Sequence, residues 1–68
     1  MIMFKIPSGK WKAFKREVMG FWFKSAEPCL TRYTNVEDAE PGYEYAGFSS
    51  DYPEDIAQVK RIAKMCGI

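Results

Sequence analysis

The chain predicts a small α+β fold in the order β-α-β-β-α: a three-stranded antiparallel sheet with two helices packed on one face. Three observations carry this expectation. Met1–Ile6 alternates Ile2, Phe4 and Ile6 against Met1, Met3 and Lys5, the pattern of a strand with one buried face. Two later stretches repeat apolar residues at helical spacing, one in each half of the chain. Between them, Leu30–Thr34 and Tyr43–Phe48 are rich in β-formers and flank turn chemistry. With 68 residues, the whole of 1–68 is one domain.

Pro7-Ser8-Gly9 ends the first strand, and Ser8 is placed to cap a helix. From Lys10 to about Phe23, Trp11, Phe14, Val18, Phe21 and Trp22 fall within about one-third of a helical circumference. Lys12 and Arg16 lie on a flank. The competing boundary is Gly20 as the residue just past the helix, with Phe21–Lys24 extended; inside a helix that glycine costs about 1 kcal/mol relative to alanine. Ser25-Ala26-Glu27-Pro28 is a break. The two middle strands form a hairpin across the acidic loop Asn35–Gly42, too long for a two-residue turn. The last helix starts at Ser49–Glu54, where Asp51 and Glu54 are spaced as a capping box and Pro53 suits the first turn. Ile56, Val59, Ile62, Ala63 and Cys66 make its apolar stripe. Its acids lie at the positive end of the dipole, its cations near the negative end, and Gly67 stops it.

A domain this small buries only about 60% of its unfolded surface, so a few large side chains must supply most of its core. Two Trp, five Phe and four Tyr meet that need. Histidine is absent, which removes the commonest general base and the usual metal ligand and argues against an enzyme. Cys29 and Cys66 are expected as small hydrophobic residues, with a bridge between them as the alternative. The opening residues do not make a secretory signal, and no apolar run approaches the roughly 20 residues of a membrane helix. A reducing, cytoplasmic setting without membrane attachment is expected.

Charge divides the chain. Met1–Thr34 carries seven cations against two anions, a net +5; Asn35–Ile68 carries seven anions against three cations, a net −4. Opposite patches of this kind steer partners, pair with each other, or pair between copies of the chain. The interleaved cations and aromatics of Lys10–Arg16 suit nucleic-acid backbone and unpaired bases, with Lys60, Arg61 and Lys64 as a second set of phosphate contacts. Helical periodicity instead sends Trp11 and Phe14 to the core and leaves the cations as a solvated flank. The acidic series around Glu37, Asp38 and Glu40 lacks the spacing of a calcium loop, so no metal or other cofactor is expected. Tyr33, Tyr43 and Tyr45 concentrate amphipathic rings around the hairpin, and a sheet covered on one side must expose its other face.

These features predict a non-enzymatic binding module. It attaches to another protein through Tyr33, Tyr43 and Tyr45 with Glu37, Asp38 and Glu40, and regulates or inhibits it. Small cofactor-free domains of this kind are common among viral and mobile-element proteins, which is an analogy only. The opposed charges also permit a homodimer, basic face to acidic face. The alternative is a nucleic-acid-binding regulator that uses Lys10, Lys12, Lys15, Arg16, Lys60, Arg61 and Lys64.

Overall fold

A computed structural model describes all 68 residues. The elements follow the expected order. Strand β1 is Ile2–Pro7, helix α1 is Trp11–Met19, strands β2 and β3 are Cys29–Tyr33 and Tyr43–Ser49, and helix α2 is Pro53–Met65. The sheet order is β1-β3-β2, antiparallel throughout. The hairpin strand β3 is therefore central, and it carries the consecutive buried residues Ala46, Gly47 and Phe48. The β1–β3 register pairs Phe4 with Ala46 and Ile6 with Glu44; the β2–β3 register pairs Leu30 with Phe48 and Tyr33 with Tyr45.

Strand alternation decides which side chains meet the helices. Ile2, Phe4 and Ile6 of β1 and Ala46 and Phe48 of β3 turn toward them. Phe14 and Val18 answer from α1, Val59, Ile62 and Ala63 from α2, and Phe23 from the segment after α1. Phe4 meets Phe14 with ring centroids 5.4 Å apart, and Phe23 meets Phe48 at 5.2 Å, within the range of favourable tilted contacts. The helices stop short of β2, so Leu30 is only half-buried and Arg32 stays exposed, 3.4 Å from Glu44.

Helix α1 is shorter than its apolar pattern. It ends at Met19, with Gly20 as its cap in right-handed conformation, and Phe21 N–H closes the last turn on the Val18 carbonyl at 3.2 Å. The competing boundary at Gly20 is the one the chain takes, and the Lys10–Phe23 helix is thereby corrected. Continuing the helix would send the amides of Lys24 and Ser25 back to Gly20 and Phe21. They donate instead to the Asp55 carboxylate, at 2.8 and 2.9 Å. Phe23 enters the core from this irregular segment, while Trp22 faces solvent. Phe21–Lys24 is not a strand either.

Two starting signals also change. Ser8 does not cap α1; Ser8–Lys10 forms a single 3₁₀ turn between β1 and α1. At α2, Pro53 takes the first helical position as expected, but Tyr52 stands at the cap with no side-chain bond. Ser50 does the local work: its hydroxyl accepts from Tyr52 N–H at 3.1 Å and donates to Asp55 at 2.6 Å. Glu54 turns outward to Lys24, 2.8 Å away.

Asp55 is 3% exposed, and its carboxylate takes three donors from two other segments. Loss of solvation pushes its pKa up. The bonds from Ser50, Ser25 and Lys24, together with the charge of Lys24, outweigh that effect and hold it below the ordinary carboxylate value. Glu54 is also held low, chiefly by its bond to Lys24, whose amine is correspondingly raised.

At the opposite end of the helices, Lys10 donates to the Gly67 carbonyl at 3.0 Å. The residues before α1 thus meet the residues after α2, while those after α1 meet the start of α2. The helices accordingly run side by side and antiparallel. Gly67 closes α2 in left-handed conformation, φ 77°, with Gly67 N–H on Lys64 O at 3.1 Å and Ile68 N–H on Ala63 O at 2.9 Å, a Schellman motif. A Cβ there would run into the Lys10 ammonium.

Gly67→Ala is expected to lose about 1–2 kcal/mol by urea unfolding, from the left-handed backbone and the displaced lysine. Asp55→Ala leaves buried donors unpaired and should lower Tm by roughly 10 °C or more. The folded Asp55 and Glu54 carboxyls bind protons less readily than the unfolded ones. Their stabilisation is therefore complete above the ordinary carboxylate range and lost as pH falls below about 4. Thermal melts between pH 7 and pH 2 should show this acid loss in the native chain and a flatter profile in Asp55→Ala.

Candidate functional site: the open face of the sheet

The same alternation that builds the core sends a second set of side chains to the face that no helix covers. Met3 and Lys5 come from β1, Cys29, Thr31 and Tyr33 from β2, and Tyr43, Tyr45 and Gly47 from β3. All three tyrosines singled out in the sequence therefore share one surface. Tyr33 and Tyr45 are register partners, and Lys5 lies opposite Tyr45 on the other side.

Gly47 lets this surface close over the sheet. A Cβ at this position would lie 2.9 Å from the Tyr33 ring, 3.0 Å from the Met1 sulfur and 3.2 Å from the Met3 sulfur. Without it, Tyr33 lies across the central strand and its hydroxyl reaches the Met1 thioether at 3.5 Å. The result is an aromatic and thioether layer that covers the backbone of β3, and contacts between sulfur and ring edges favour such a layer.

Toward the hairpin end, the acidic loop folds back onto the face. The Tyr45 hydroxyl accepts the Glu40 amide at 3.1 Å, and the Glu40 carboxylate pairs with Lys5. Lys5 also stands 4.4 Å above the centre of the Tyr43 ring, in cation–π range. Its amine is raised above the ordinary lysine value by the bond to Glu40, which together with the Glu40 charge outweighs the opposing loss of solvation. A shallow cleft of about 300 Å³ opens here, lined by Tyr33, Tyr43 and Tyr45 together with Val36, Ala39 and Arg32. Tyr33 and Tyr43 remain 37% exposed. Glu37 and Asp38 are exposed on the loop without ion pairs, and Asp38 adopts a left-handed φ of 60°.

Met1, Met3, Lys5 and Gly47 complete this surface and were not among the sequence-derived site residues. The alternation of β1 was the signal for the first three; the contribution of Gly47 depends on which rings cross it.

The basic residues occupy the other side of the molecule. Lys12, Lys15 and Arg16 on α1, and Lys60, Arg61 and Lys64 on α2, are exposed and have no acidic partner. Lys10 is exposed as well and spends one of its three donors on the Gly67 carbonyl. A further cleft of about 520 Å³ lies between the end of α1 and β2, lined by Val18, Met19, Pro28, Leu30 and Phe48. It follows from the helices stopping short of β2 and holds none of the sequence-derived site residues. The cysteines are not bridged: Cys29 is exposed with its sulfur 3.2 Å from the Thr31 hydroxyl, and Cys66 packs half-buried against the core. Cys29 lies on the uncovered face of the sheet. No helix is long and apolar enough to cross a membrane.

No protein family, curated protein or solved structure matches this chain.

Gly47→Ala is expected to lift the Tyr33 ring and the Met1 and Met3 thioethers off the sheet. The displaced atoms end flexible side chains, so the stability cost should stay below about 1.5 kcal/mol. Methyl NMR should show Met1 and Met3 losing their ring-current shifts while core methyl signals stay in place.

Proposed function

We propose that the protein is a non-enzymatic binding module that regulates or inhibits a partner protein through the uncovered sheet face. The observation that carries this reading is the cleft lined by all three hairpin tyrosines, with the acidic loop folded over its edge. Rigid amphipathic rings contribute contact area at low entropic cost, and their hydroxyls tolerate water until a partner arrives. Met1 and Met3 extend the apolar part of the surface, and a flexible thioether adapts to partners of differing shape. Glu37 and Asp38, free of ion pairs, form a charged rim suited to a basic partner surface and to faster encounter with it.

A second reading is supported by the six uncommitted cations on the helical layer, which suit the phosphates of a nucleic acid. It uses the opposite side of the molecule, so single variants separate the two.

Affinity capture from lysate, with and without nuclease, provides the test. Under the sheet-face reading, a protein survives nuclease treatment and remains bound to Lys12→Glu/Arg16→Glu, and Tyr33→Ala/Tyr43→Ala loses it. Retention of the same protein by the tyrosine variant would refute the sheet-face reading.

A further inference from the structure

Large apolar side chains that the core does not use collect where α1 ends. Trp22 is 79% exposed, Met19 is exposed three residues earlier, and Phe21 is 43% exposed with its ring centre 5.1 Å from that of Phe23. Phe23 anchors the segment inside, and Asp55 holds the two amides that follow. Trp22 is therefore displayed on a fixed backbone. Open space lies on two sides of it: a cleft of about 220 Å³ shared with Lys24, Glu54 and Gln58, and one of about 440 Å³ shared with Ser25, Ala26 and Pro28.

The uncommitted cations lead away from this ridge. Gln58, which shares a cleft with Trp22, accepts from the Arg61 guanidinium at 3.4 Å, and Lys64 follows one turn further along α2. On α1, which runs antiparallel alongside, Arg16 lies one turn before Gly20 and Lys12 one turn before that. The acids that stand near them in sequence are largely spent, Glu54 on Lys24 and Asp55 on buried donors, leaving Glu17. Exposed cations that extend from a displayed tryptophan are complementary to a ligand with a phosphate backbone and unstacked flat rings.

We propose that the helical layer binds single-stranded nucleic acid. Lys12, Lys15, Arg16, Lys60, Arg61 and Lys64 contact phosphates, and Trp22 is the platform on which a base stacks. This inference rests on the nucleic-acid reading of the basic layer and adds to it the strand state and the stacking residue. A duplex keeps its bases stacked on each other and gives Trp22 nothing to hold. An anionic membrane fits less well, because the Lys24–Glu54 pair beside the indole would have to leave water with it.

Fluorescence anisotropy with labelled oligo-dT and oligo-U of about 20 nucleotides, long enough for one site, tests the proposal. Both should bind, with log affinity falling on log salt at a slope of about −4 for six neutralised phosphates. Trp22→Ala should weaken binding about tenfold or more, Trp22→Phe should retain most of it, and neither should move the thermal melt, because the ring is outside the core. Lys12→Glu/Arg16→Glu should flatten the salt slope. Salt-sensitive binding that prefers a duplex of the same length and ignores Trp22→Ala would overturn the single-strand inference while leaving the basic layer as a phosphate surface. Absence of salt-sensitive binding to any oligonucleotide would remove both. A blue shift of Trp22 emission on phosphatidylserine vesicles, in a Trp11→Phe background that fails to bind the oligonucleotides, would replace nucleic acid with a lipid surface.

Discussion

The arrangement of this molecule depends on one buried carboxylate. Asp55 sits in the first turn of α2, yet it spends its oxygens on the chain leaving α1 and on the hydroxyl of Ser50. A charge removed from water is tolerated only when donors replace the lost hydration, and here two amides and a hydroxyl do so. In return the carboxylate ties the start of α2, and the turn just before it, to a segment 30 residues away in sequence. It ends α1, aims Phe23 at Phe48, and fixes where α2 begins. Lys10 on the Gly67 carbonyl joins the opposite ends of the same helices. Between these two polar links the apolar faces of α1 and α2 lie together over the sheet.

The charge division of the sequence is partly an internal pairing code. Lys5–Glu40, Lys24–Glu54 and Arg32–Glu44 each join the basic half to the acidic half. With Asp55 buried, four of the seven acids in the second half are committed within the fold. The cations of α1 and α2 are not, so the surplus exposed after folding is concentrated on the helical layer. What looks in the sequence like two halves of opposite sign becomes a basic helical layer and a small acidic rim beside the hairpin.

Sheet and helices thus present two unlike surfaces for a single reason. A three-stranded sheet has two faces, and two short helices can cover only one of them. The covered face took the aliphatic and phenylalanine side chains. The open face is coated by tyrosine and methionine, residues that protect a sheet yet remain serviceable as contacts. Trp22 arises differently. It is displayed on the irregular segment from which its neighbour Phe23 enters the core.

Much of this was legible in the residues. Strand alternation identified the buried and open faces, placing Tyr43 and Tyr45 together and opposite Ala46 and Phe48. Helical spacing located Phe14, Val18, Val59 and Ile62, and Gly67 marked the end of α2. The exit of the chain from α1 was legible only in part: Gly20 marked the boundary, but Phe21 and Trp22 continue the helical pattern, and nothing local announces the carboxylate 30 residues away that takes the next amides. The same limit applies to Gly47, whose missing side chain matters only because Tyr33 and Met3 cross it from two other strands. Local periodicity and turn chemistry therefore determined the elements and their faces, since those depend on neighbours along the chain. Which acid becomes a buried link, which aromatic is displayed and which charges stay unpaired were decided by tertiary structure, because each depends on groups that folding alone brings within hydrogen-bond reach.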